Sequence, residues 1–177
     1  MDNKLSEMLN QLLADTNIAN VTADSNAFQE LPEGYYLSKL SKAELKESKT
    51  SGLPMVALDF IVLENGVHYV ATDDGDISLQ EVKNSKNKHI FMYYVLKDSA
   101  SLKRFVSDML KFEAEPGKPV LEKEYFMNQD VLEQALQILV DMQLYVQITK
   151  SENKDGQTQT WQNPISWKRA ASLELPM

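Results

Sequence analysis

Between Leu31 and Gly66 the side chains alternate in character with a period of two, interrupted only by residues that favour turns. In PMVALDFIV (54–62), Val56, Leu58, Phe60 and Val62 alternate with Met55, Ala57, Asp59 and Ile61. That period puts each set on one face of a strand, and Asp59 marks the less buried face. The stretch before it, LPEGYYLSKLSKAELKES, is strand-like with Gly34 at its mouth, and KTSG (49–52) reads as a turn. Asn65–Gly66 is a strong hairpin signal, with VHYVAT following as a third strand. HIFMYYVL (89–96) is an unbroken apolar run, which predicts a strand covered on both faces.

Helical periods flank this region. Leu5, Met8, Leu9, Leu12 and Leu13 form one stripe at 3.6-residue spacing, followed by a weakly patterned linker to about residue 30. The stripe packs either on its own domain or on a partner or second copy of the chain. Asp98 or Ser99 caps a helix carrying Leu102, Phe105, Val106, Met109 and Leu110. After a loop with two prolines and a glycine, Asn128 caps a second, with Val131, Leu132, Ala135, Leu136, Ile138 and Leu139. LYVQIT, with Leu144, Val146 and Ile148 on one face, turns at Asp155–Gly156 into TQTWQN, which Pro164 ends.

The order predicts an α+β, mainly β fold: an OB-type five-stranded Greek-key barrel with an N-terminal helix and two inserted helices before a terminal hairpin. The expected organisation is a helix and linker over residues 1–30, the barrel over 31–168, and a short tail over 169–177. At 177 residues and 43% hydrophobic, the chain has material for one core. It has no cysteine, so disulfides and thiolate metal sites are excluded. No apolar run approaches the ~20 residues of a membrane span. The polar N-terminus predicts no signal peptide, and the expected location is the cytoplasm.

The net charge of −8 argues against a nucleic-acid partner until it is divided along the chain. Residues 1–33 carry −5 and residues 112–177 carry −4, whereas residues 34–111 carry +1. A nucleic-acid surface would have to lie in that middle segment.

The layout resembles a family of phage replication-module proteins that bind single-stranded DNA through an OB fold. The resemblance is carried by residues 31–66: a Pro-x-Gly-x-Tyr opening, a strand ending Ala-Glu-x-Lys-Glu-Ser, a Ser-Gly turn, and a hydrophobic strand closing on Asn-Gly. It continues in LYVQITK (144–150), the Lys-Asp-Gly turn and the closing strand. It implies sequence-independent single-stranded-DNA binding in phage replication or recombination, with no catalysis, cofactor or metal, and replication or recombination proteins as possible partners. Many proteins of this type end in an acidic tail that recruits partners. This sequence ends SWKRAASLELPM, with Glu174 its one acid, so tail-mediated recruitment is not implied.

Single-strand binding needs cations along the phosphates and aromatic faces for the bases. The first strand and its turn supply Lys39, Lys42, Lys46 and Lys49, beside Tyr35 and Tyr36. Residues two and four apart on a strand share a face, so Lys42 and Lys46 line one groove. The later strand region adds Lys86 and Lys88, then Tyr93 and Tyr94, then Lys97, and the last hairpin adds Trp161. The competing reading has the lysines solvating strand edges and the aromatics filling the core.

Catalytic signals are sparse. His68 and His89 are the only histidines and too isolated for a triad or metal site; both read as strand residues facing solvent. TDDGD (72–76) has the wrong spacing for a calcium loop and reads as an acidic turn. EPGKP lacks the preceding glycine of a phosphate loop. Two other functions stay open: a protein-interaction module, such as a phage-encoded inhibitor that presents its acid to a host nucleic-acid enzyme, and a structural component of a virion.

Overall fold

The computed structural model of the protein describes residues 3–15 and 31–177, in two units, Met1–Glu30 and Leu31–Met177. The first unit holds α1 (Asn3–Asp15), along which the predicted leucine and methionine stripe falls. The linker read after it lies, from residue 16 to 30, outside the described residues.

The second unit opens with β1 (Gly34–Glu47), β2 (Pro54–Val62), β3 (Gly66–Ala71), β4 (Ile77–Val82) and β5 (His89–Val95). Then come α2 (Ser99–Met109), a ribbon of β6 (Glu113–Glu115) and β7 (Lys118–Pro119), a 3-10 turn (Lys123–Phe126) and α3 (Gln129–Leu139). It ends with β8 (Gln143–Glu152), β9 (Thr158–Ile165) and α4 (Trp167–Ser172). The caps are those the sequence predicts. Asp98 accepts from the Ser101 backbone N–H and Ser101 answers in a capping box, while Asn128 accepts from Val131 N.

The protein is α+β and mainly β, with an antiparallel sheet. β1 is its spine: it pairs β8 through residues 34–39, β2 through residues 38–47, and β3 at Tyr35 opposite Val67. β2 also pairs β5, and β8 pairs β9, giving the path β5-β2-β1-β8-β9. β5 and β9 form no ladder with each other, so the sheet stays open where a closed barrel would join. The register of β1 shifts between Leu40 and Lys42, a bulge at Ser41. A bulge bends its strand, and it restores Lys42 to the face that Lys39 occupies instead of turning it into the core.

Alternation then divides the second unit into two layers. Tyr36 and Leu40 of β1, Val56 to Val62 in alternation on β2, and Ile90, Met92 and Tyr94 of β5 face inward. They meet Leu144, Val146 and Ile148 of β8 under Phe105 and Met109 of α2 and Leu136 and Leu139 of α3. On the outer face a smaller cluster of Tyr145, Ile165, Ala170 and Leu175, with Tyr35, Leu37, Val67, Leu79 and Trp167 against it, covers part of the sheet. The residues expected as a separate tail thus pack into this second layer, with Ala170 and Leu175 buried.

Three local expectations are corrected, and one strand is added. Asn65–Gly66 joins β2 to β3 without a hairpin: β3 pairs β4 instead, through the acidic turn at residues 72–76. Asn65 is a corner, its side-chain oxygen accepting from Ser85 N (3.1 Å) and Lys86 N (3.0 Å). β4 (ISLQEV) went unread because only Val82 of its six residues is buried. Pro164 lies inside β9 opposite Val146 rather than ending it, which an edge strand tolerates because the missing N–H is not needed. The run at residues 89–96 is covered on one face only, since His89, Phe91 and Tyr93 are exposed.

Candidate nucleic-acid interface

Cross-strand pairs share a face, so the register assembles the exposed part of the sheet residue by residue. Lys39 lies opposite Ile61, which lies opposite His89; Lys42 opposite Asp59, opposite Phe91; Glu44 opposite Ala57, opposite Tyr93; Lys46 opposite Met55, opposite Val95. β1 therefore supplies three lysines and β5 two exposed rings, about two strand spacings or ~10 Å apart. Phe91 is 49% exposed and Tyr93 59%. Met55 and Ala57 between them are half-buried, leaving a low floor flanked by cations on one side and aromatics on the other.

The rings are held. His89 Nδ1 lies 2.7 Å from Asp59 Oδ1, and the imidazole stacks on Phe91 with centroids 5.7 Å apart and planes 12° from parallel. The lysines are loosely paired: Lys39 Nζ is 3.9 Å from Asp141 and Lys42 Nζ 3.7 Å from Glu44, both exposed contacts of the kind worth little. They remain available to a phosphate, which would cost them almost nothing to meet.

The structure separates the other sequence candidates from this group. Tyr36 is fully buried, its hydroxyl donating to Pro32 O at 2.5 Å, and burial raises its hydroxyl pKa. Tyr94 is buried against α2, donating to Asp108 Oδ2 (2.8 Å); burial and then the Asp108 charge raise its pKa. Both are core residues. Tyr35 is half-buried in the second layer, edge-on to Tyr69 at 5.9 Å and accepting from Gln147 Nε2. Trp161 is exposed, but on β9 at the far edge of the sheet, where its indole N–H donates to Ser151 Oγ (3.0 Å). Lys49 and Lys86 are exposed in turns, and Lys88 and Lys97 bracket β5.

Sequence reasoning missed Phe91, His89 and Asp59 as one group. His89 reads as a solvent-facing strand residue from the sequence and is exposed, but Phe91 is hidden in a run read as doubly covered; the signal that could have found it is the period of two itself, which sets Tyr93 and Tyr94 on opposite faces. A separate open cleft of about 550 Å³, lined by Glu33, His68, Val82, Lys150, Glu152 and Thr158, mixes both charge signs and is a poor match for a polyanion. His68 is half-buried in it, its Nδ1 without a hydrogen-bond partner among the described residues.

Residues 15–94 match a family described as a protein of unknown function, DUF669. The match spans β1 to most of β5, and so takes in the lysine strand, Asp59 and both exposed rings. No curated protein matches the chain. No helix of the described residues is long and apolar enough to cross a membrane.

Proposed function

We propose that this chain binds single-stranded DNA without sequence preference, as a phage-type protein of DNA replication or recombination. The observation that carries the reading is the pair of exposed rings, Phe91 and Tyr93, across the floor from Lys39, Lys42 and Lys46. Bases of any sequence have a face to stack on such rings, and backbone phosphates need only flexible cations beside them. The strand path supports it. β1, β2, β5, β8 and β9, with helices between the third and fourth, follow the course of an OB barrel opened between β5 and β9, and OB folds bind through the face of their second and third strands. Here those strands are β2 and β5, which carry the exposed group. The charge along the sequence is consistent with the reading, because residues 34–111, which carry this face, are the one segment that is not net acidic.

The test is a titration of fluorescent oligo-dT with the full chain at low salt, repeated at rising salt. Micromolar or tighter binding that weakens with salt, and a mixed-sequence oligonucleotide bound equally well, are expected. Absence of binding at tens of micromolar overturns the reading and leaves the interaction-module alternative, which the acidic charge of −8 favours.

A further inference from the structure

We propose that β5 is a self-association edge through which two copies of this chain pair antiparallel, about a two-fold axis at Met92. This goes beyond nucleic-acid binding and does not depend on it.

β5 pairs β2 along one side, and among the described residues no strand lies along the other. Val62 N–H bonds Lys88 O, and Leu96 N–H bonds Pro54 O, which fixes the alternation of the ladder. Ile90, Met92 and Tyr94 fall in its hydrogen-bonded pairs. His89, Phe91, Tyr93 and Val95 therefore turn their backbone N–H and C=O away from β2. Those groups have no protein partner among the described residues.

Unpaired edges usually carry a device that discourages pairing: a charge, a proline or a bulge. The other free edges have one, since β4 carries Glu81 and β9 contains Pro164. β5, HIFMYYV, has no proline, acid or lysine, and its ladder with β2 runs without a bulge. Lys88 and Lys97 stand just outside it.

The sequence of this edge is complementary to itself. With the two-fold axis at Met92, Phe91 meets Tyr93 of the second copy and His89 meets its Val95, and by symmetry the reverse. All four residues with free backbone groups then fall in hydrogen-bonded pairs, so every one of those groups is satisfied at once. The exposed rings form an aromatic cross-strand pair at the centre, and neither lysine meets a lysine of the other copy. The outer face of β2 and β5 would continue across the axis into the second copy; that consequence alone rests on the proposed function.

The test uses the full chain without DNA. Sedimentation equilibrium should show a dimer whose population grows between micromolar and hundreds of micromolar protein. F91K/Y93K, at two exposed positions, sets like charges opposite each other and should weaken dimerisation at least tenfold with unchanged circular dichroism, whereas F91K/Y93E should restore it. The chain has no cysteine, so an equimolar mixture of F91C and Y93C chains should give a disulfide dimer under mild oxidation several-fold faster than F91C alone. A monomer at all concentrations overturns the proposal. So does a dimer indifferent to F91K/Y93K, which would point to another surface, or F91C cross-linking to itself as readily as to Y93C. Oligo-dT binding is read in a separate titration, so failure of either conclusion leaves the other standing.

Discussion

Gly66 lies flat against the ring of Tyr36: a Cβ placed on Gly66 would come within 2.4 Å of Tyr36 Cδ1 and 2.5 Å of Cε1. Tyr36 is itself fully buried, so its ring has nowhere to move. The glycine is needed because β2 turns the corner into β3 over an aromatic core residue, and its backbone N–H is held there by Ser85 Oγ at 2.8 Å. Gly66→Ala should therefore lower stability by about 1–3 kcal/mol, the cost of overpacking a rigid site. Urea unfolding checks this, and a midpoint equal to that of the unaltered protein would show that the corner can yield.

Changes at the two tyrosines at positions 93 and 94 should separate binding from folding. Tyr93→Ala and Phe91→Ala each remove an exposed ring, and each should weaken oligo-dT binding by about 1–3 kcal/mol while leaving the urea midpoint nearly unchanged. Tyr94→Phe should do the reverse, leaving binding intact and lowering stability by ~1 kcal/mol through loss of the bond to Asp108. Equal loss of binding from all three changes would mean that the face acts only through its fold.

What the sequence reveals follows from which signals are local. The period of two on β2, the caps at Asp98 and Asn128 and the turn at Gly156 depend on a few neighbouring residues, and the structure has each of them. The Asn65–Gly66 corner misled because the same dipeptide serves a hairpin or a bend, and the choice lies with Tyr36 and Ser85, distant in sequence. The site was half legible. Lys39, Lys42 and Lys46 were singled out from the sequence, but the shared face of Lys39 and Lys42 requires the bulge at Ser41, which has no signature there. Phe91 is masked by its apolar neighbours, since coverage of a strand's second face is decided by what else packs nearby. Here α4 and the last residues cover Tyr35 and Tyr145, and β5 lies beyond them.

The lysines should act through charge more than through contact. Each one that neutralises a phosphate contributes about 0.7 to the slope of log affinity against log salt on a single strand. Lys42→Ala and Lys46→Ala should each flatten that slope by roughly this amount and weaken binding alike for every sequence. Changing Lys42, Lys46 and Lys88 together to Glu should abolish binding at 0.1 M salt, while circular dichroism and unfolding stay close to those of the unaltered chain. A salt slope unmoved by any of them would place the phosphates elsewhere.

Alkaline pH should unfold the protein through its core tyrosines. Burial raises the pKa of Tyr36 above the ordinary value near 10, and burial together with the Asp108 charge does so for Tyr94. A group whose pKa is higher folded than unfolded favours the folded state while it holds its proton. Its contribution is complete below pH 10 and is lost as pH rises from there towards the folded value, by up to about 1.4 kcal/mol per pH unit for each tyrosine. Urea midpoints should be level from pH 7 to 9.5 and fall steeply by pH 11.5. Tyr94→Phe, which has no proton to lose at that site, should begin from a lower midpoint at pH 7 and fall less steeply above pH 10. A slope identical in the two proteins would mean that Tyr94 ionises without unfolding the sheet, and that α2 opens locally from β5 to let it do so.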